Sequence, residues 1–128
     1  MDIVSATFVE SIDFRQAPGP ATRVDLTGIM FSLAAPNPPP VTIAPHLVVL
    51  VRCRPDESGF SALEVVFTDE AGGQVARSVM PFEVEPGKFG YRLVRAELTY
   101  AGYGTIEARC QLDAGPVTVV PLTLLPPA

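Results

Sequence analysis

The hydrophobic pattern of this chain alternates with a period of two, in short runs that end at Gly, Pro or Asp. Between Thr105 and Leu112, for example, every second residue is apolar or small, and the residues between them are polar. Successive side chains of a β-strand point to opposite faces, so such runs predict strands with one face in a core and one in water. The pattern therefore predicts an all-β protein, built as a two-sheet antiparallel β-sandwich of about eight strands with Ig-like or C2-like topology.

Eight runs carry this pattern, at residues 3–14, 23–33, 47–54, 61–68, 75–84, 89–98, 105–112 and 117–125. The run from 47 to 54 is almost continuously apolar, which is typical of a central strand covered on both faces. Pro81 and Pro121 lie inside two of the runs, and each predicts a sheet edge, a bulge or an early stop because proline donates no ladder hydrogen bond.

Three positions modify the strand pattern. Gly28 stands where the apolar positions change phase, which predicts a bulge or a bend. Glu10 falls on the apolar face of its run, and a bulge that turns it outward is the simplest explanation. The turn at 69–73 contains Gly72 and Gly73, which supply the positive φ that a tight hairpin requires.

Length and composition favour one domain, spanning residues 1–128. An apolar fraction of 48% beside 18% charged residues indicates either strands with much of both faces covered or surface reserved for a partner, a second copy of the chain included. The net charge of −5 disfavours nucleic acid and anionic membranes. We expect a cytoplasmic protein, because no apolar segment suggests a membrane span or an export signal. Lys88 is the single lysine, a composition that we associate with GC-rich bacteria.

Residues for catalysis are scarce. His46 is the single histidine, which excludes mechanisms that need two imidazoles. The serines lack a Gly-x-Ser-x-Gly motif, and no glycine-rich phosphate loop precedes a helix. We therefore expect a protein that is not an enzyme and that carries no cofactor.

The two cysteines share the parity of the inward-facing residues of their runs, so both Cys53 and Cys110 are predicted to be buried. A disulfide between them is one possibility, and two buried free thiols are the other. The expected cytoplasmic location favours free thiols, because the cytosol keeps cysteines reduced. Their wide spacing carries no zinc signature.

Acidic pairs at Asp56–Glu57 and Asp69–Glu70 raise the possibility of a calcium site. These pairs flank one strand, so they are expected at opposite ends of a sandwich. Glu85 and Asp113 could join the first pair at one end. Asp is a common turn residue, so we interpret these side chains as solvated turn carboxylates and predict no metal site.

The candidate binding residues are Tyr100, Tyr103, Pro38 and Pro39. Tyrosines beside glycine and proline can form a recognition surface, and they can equally cap the core. The proline run at 36–40 can form no helix and no sheet ladder, so it predicts an extended crossover. It could serve as a ligand for a proline-binding groove or pack as a loop.

Four segments carry a resemblance to a family of small bacterial β-sandwich proteins of unknown function: 6–9 (ATFV), 44–51 (APHLVVLV), 63–73 (LEVVFTDEAGG) and 104–115 (GTIEARCQLDAG). In the last segment Ile106 stands where that family has an aromatic residue. The resemblance implies a fold and no activity. From the residues we expect a protein-binding or accessory module that self-associates, with a structural subunit of a phage or other assembly as the alternative and a small-ligand or calcium-binding domain as the third reading.

Overall fold

The computed structural model describes residues 1–19 and 21–128, and this part of the chain contains twelve β-strands and no helix. The strands are β1 (Asp2–Val9), β2 (Ser11–Gln16), β3 (Thr22–Thr27), β4 (Ser32–Ala34), β5 (Val41–Ile43), β6 (His46–Arg52), β7 (Phe60–Thr68), β8 (Gln74–Glu83), β9 (Phe89–Arg95), β10 (Leu98–Tyr100), β11 (Gly104–Leu112) and β12 (Val117–Leu125). The prediction of an all-β fold is confirmed.

The strands of the described residues form four sheets, where the sequence pattern predicted two. A three-stranded sheet has the order β1-β6-β9, and a five-stranded sheet has the order β4-β12-β11-β7-β8. Two further pairs are β2–β3 and β5–β10. Every pair is antiparallel except β4–β12, which is parallel. One apolar core contains buried side chains from both larger sheets, among them Phe8, Leu47, Val49, Leu63, Phe67 and Ile106.

The strand count exceeds the predicted eight because the first two runs each divide in two and because the chain forms two further three-residue strands, β5 and β10. Glu10 is exposed between β1 and β2, and its N–H donates to the carbonyls of Thr27 (3.0 Å) and Gly28 (3.2 Å). Gly28 directly follows β3 and has a φ of +67°, a conformation that glycine adopts readily. The predicted bend at Gly28 and the outward turn of Glu10 are therefore confirmed, while the two runs supply four strands instead of two.

The central position predicted for the run from 47 to 54 is also confirmed. β6 lies between β1 and β9, and its residues Leu47, Val49 and Val51 are fully buried in the main core. Val48 points to the other face of the sheet and is fully buried as well. The β2–β3 hairpin reaches β9 on this side, where the Phe14 and Tyr91 rings lie 4.7 Å apart between centroids.

The predicted hairpin turn joins β7 to β8. The Asp69 carboxylate accepts hydrogen bonds from the N–H groups of Ala71 (3.0 Å) and Gly73 (2.8 Å), and Gly72 has a φ of +84°. An aspartate that accepts from N–H groups two and four residues later stabilises the turn locally. Pro81 lies on β8, which is an edge strand, as predicted.

Both cysteines are buried in the core and free. Cys53 follows β6, and Cys110 lies on β11 opposite Val65 of β7 and Thr118 of β12. Burial raises the pKa of the Cys110 thiol to about 12. Both side chains therefore act as small apolar groups of the core.

Candidate functional site

The structure places the predicted tyrosine and proline residues in different surroundings. Tyr100 pairs with Val41 in the β5–β10 ribbon, directly after the proline segment, so the crossover does arrive beside it. Its side chain is only 3% exposed, and its hydroxyl donates a 2.7 Å hydrogen bond to the Leu122 carbonyl. Burial raises the pKa of this phenol above its usual range. Tyr100 is thus a core residue that anchors the loop after it.

Tyr103 is 47% exposed and lines a shallow cavity of about 220 Å³ together with the β7–β8 turn. In this cavity the Glu70 carboxylate accepts the Thr105 N–H at 2.8 Å, so the chain itself uses that acidic group. Pro38 is exposed and Pro39 is half-buried, and neither lines the Tyr103 cavity. The four candidate residues therefore do not form one surface, and binding at Tyr103 or at the two prolines stays a prediction.

The acidic residues Glu57 and Asp113 are held by groups of the chain. The Ser61 hydroxyl and the Ala62 N–H donate to the Asp113 carboxylate at 2.6 and 3.0 Å, and they hold its pKa below the usual range. The amino group of Met1 and the N–H of Arg54 donate hydrogen bonds to the Glu57 carboxylate and hold its pKa below the usual range. Among the described residues, no group of three or more His, Cys, Asp or Glu side chains is placed to hold a metal ion.

His46 begins β6 and lies opposite Arg95 of β9 and Val9 of β1. Its side chain lines an open cavity of about 380 Å³ beside Glu10 and Met30. Within the part of the chain that the structure describes, the imidazole makes no hydrogen bond and no ion pair. An orienting partner of the kind that holds a general base is not present for His46 among the described residues.

A larger groove, which we call the aromatic groove, lies between the β2–β3 hairpin and β9. It has a volume of about 690 Å³ and is lined by Phe14, residues 21–24, Glu83 and residues 87–92. Phe89 and Tyr91 are exposed there. This groove was not predicted from the sequence, since it forms only when the hairpin folds toward β9. Its one local signal was the aromatic pair Phe89 and Tyr91, flanked by the basic residues Lys88 and Arg92.

A second uncovered apolar surface, the β12 strip, consists of Val117, Val119 and Leu125. These three side chains share the outer face of the five-stranded sheet, because the intervening Val120, Leu122 and Leu124 are buried in the core. In the described part of the chain no strand or loop covers the strip. Its neighbours on β11 are polar or charged, among them Arg109 opposite Val119.

Comparison with protein-family models, with curated proteins and with solved structures found no match to this chain. In the described residues there is no helix with the length and apolar character needed to cross a membrane. What the chain does is therefore inferred from its own side chains and surfaces.

Proposed function

We propose that this chain is a non-catalytic protein-binding or accessory module of a bacterial cytoplasm, and that it self-associates through the β12 strip. The observation that carries the proposal is the row of exposed apolar side chains at Val117, Val119 and Leu125. The proposed architecture is an Ig-like or C2-like sandwich, with the three-stranded and five-stranded sheets as its two layers and the ribbons β2–β3 and β5–β10 as additions.

The distribution of apolar and polar side chains around the β12 strip resembles that of a protein–protein interface. An apolar centre with a polar rim is typical of protein contacts, and here the Glu107–Arg109 ion pair (3.3 Å) lies on the adjacent strand. A contact between two copies would cover six apolar side chains, three from each copy. Full burial of a Val or Leu side chain contributes about 1.5 to 3 kcal/mol. Two copies that meet face to face about a two-fold axis use the same surface on both, which is the commonest arrangement of homo-oligomers.

Sedimentation velocity over micromolar to sub-millimolar protein concentrations tests this proposal. We expect a concentration-dependent rise in mass, and we expect Val119→Glu to weaken association by at least about tenfold because it places a charge in the apolar contact. Val79→Glu is the matched control. Val79 is also an exposed valine on the outer face of the same sheet, at 53% against 42% for Val119, but it lies on β8. A wild type that is monomeric throughout, or equal weakening by both variants, contradicts self-association through the strip.

The second candidate is a structural subunit of a larger assembly. It is favoured by the presence of two uncovered apolar surfaces, the aromatic groove and the β12 strip, on different sheets. Contact between two different surfaces does not terminate at a dimer, and it generates rings or filaments. Light scattering that shows large homogeneous particles supports this candidate, and a stable monomer or dimer removes it.

A further inference from the structure

We infer that the aromatic groove binds an extended acidic segment of a partner protein, which adds as a strand to the free edge of β9. This inference rests on the proposed function as a protein-binding module, but it concerns a surface separate from the β12 strip.

The groove is bounded by unpaired strand edges. β9 is the last strand of the three-stranded sheet, and among the described residues β3 pairs with β2 alone. An edge strand presents a row of free N–H and C=O groups, and proteins usually protect such a row with proline, a very short strand or a charge that points across it. β9 has seven residues and no proline. It is therefore a backbone template on which an incoming strand can form hydrogen bonds.

The basic side chain in the middle of β9 does not block this edge. The Arg92 guanidinium donates a 3.2 Å hydrogen bond to the Pro81 carbonyl of β8 and lies 5.0 Å from the centroid of the Phe82 ring. These contacts hold Arg92 against β8, where it lines the inner side of the groove. Aromatic residues form the outer side of the groove. Phe89 and Tyr91 are exposed there, and Phe14 of the hairpin contacts the Tyr91 ring. An incoming strand can thus place apolar side chains against this wall.

The positive charge of the aromatic groove favours an acidic segment as its occupant. Arg23, Lys88 and Arg92 line it, against one acidic residue, Glu83. Glu85 neutralises part of this charge through its 2.8 Å ion pair with Lys88. The concentration of three of the nine basic residues here contrasts with the net charge of −5 for the whole chain. Acidic side chains are therefore attracted to the groove, whereas basic ones are repelled.

The same charges make a second copy of this chain an unfavourable occupant of the groove, because its β9 would have to pair with β9 of the first copy. Such pairing would bring Lys88, Arg92 and Arg95 of one copy close to those of the other, and like charges at close range are unfavourable. A segment of about five residues is sufficient, because it spans about 17 Å at the rise of an extended strand. The partner is thus a chain with alternating acidic and apolar residues in an exposed or disordered segment.

A fluorescent capped peptide, Glu-Val-Asp-Phe-Glu-Val-Asp, provides the probe, and fluorescence anisotropy measures its binding. We expect saturable binding at micromolar concentrations that weakens with salt, as electrostatic contacts do. A version with alternate backbone nitrogens methylated keeps the charge and the side chains but loses the strand donors, and we expect it to bind at least about tenfold more weakly. A version with Lys in place of each acidic residue is expected not to bind.

Two protein variants locate the site. Arg23→Glu is expected to weaken binding by at least about tenfold because it reverses a charge of the groove. Arg77→Glu, which changes an exposed arginine of β8 on the outer face of the five-stranded sheet, is expected to leave binding unchanged. Absence of saturable binding, equal binding of the methylated peptide, or equal effects of the two variants overturns the inference. Sedimentation of the same samples separates the two proposals, because self-association through the β12 strip can persist when peptide binding fails.

Discussion

Val65→Asp is expected to unfold this protein, whereas Val66→Asp, one residue further along the same strand, is expected to leave it folded. Val65 is fully buried in β7 between Cys110 and Ser78 on the neighbouring strands. A carboxylate there has no ion-pair partner, and its burial costs several kcal/mol, comparable to the roughly 5 to 15 kcal/mol that stabilises a typical domain. Val66 faces outward between Arg109 and Arg77, so an aspartate at that position gains two cationic neighbours.

Urea denaturation followed by circular dichroism measures this contrast. For Val65→Asp we expect no folded baseline at neutral pH, or a midpoint far below that of the wild type. For Val66→Asp we expect a free energy of unfolding within about 1 kcal/mol of the wild type, because exposed charge pairs contribute little. Similar midpoints for the two variants would contradict the assignment of faces in β7, and with it the sandwich core.

The free energy of unfolding is expected to fall steeply as the pH rises above about 9. Burial raises the pKa of Cys110 to about 12 and raises the pKa of Tyr100 above its usual range. In the unfolded chain these groups ionise near pH 8.5 and 10, so the unfolded state loses protons while the folded state retains them. Each group then contributes a loss of about 1.4 kcal/mol per pH unit above its unfolded pKa, or roughly 4 kcal/mol together between pH 9 and 11. Below pH 8 this contribution is fully present.

Urea midpoints at a series of alkaline pH values test this dependence, with the slope against pH as the readout. Tyr100→Phe lowers the baseline stability by about 1 to 3 kcal/mol, because it leaves the Leu122 carbonyl without its donor, but it also flattens the slope above pH 10. Cys110→Ala is expected to flatten the slope between pH 9 and 10. A wild-type stability that stays constant up to pH 11, or slopes that neither variant changes, contradicts the burial of these ionisable groups.

Sequence pattern predicted the parts of the fold that depend on local rules. In β11 the alternation correctly placed Ile106, Ala108 and Cys110 in the core and Arg109 outside it, because the period of a strand is fixed by its geometry. The turn after β7 was predictable for the same reason, since Asp69 and the glycines determine it within five residues.

The parts that the sequence did not predict depend on contacts between distant residues. β5 and β10 have three residues each, too few for a periodic signal, and their pairing brings Thr42 and Thr99 within 2.9 Å between hydroxyl oxygens. The aromatic groove requires Phe14 of the hairpin to meet Tyr91, which lies in a different sheet. Phe8 and Phe14 share the parity of one run, but the break at Glu10 between β1 and β2 leaves Phe8 in the core and Phe14 exposed.

Hydrogen–deuterium exchange with mass spectrometry tests most directly the claim that this protein binds its partners through exposed strand surfaces. The measurement compares dilute protein, concentrated protein, and dilute protein saturated with the acidic peptide. We predict that concentration slows exchange in residues 117–125, that the peptide slows it in residues 89–93, and that the interior strand β7 is unaffected by either. Unchanged exchange in both segments, or slowing confined to the β8 edge, would contradict the account.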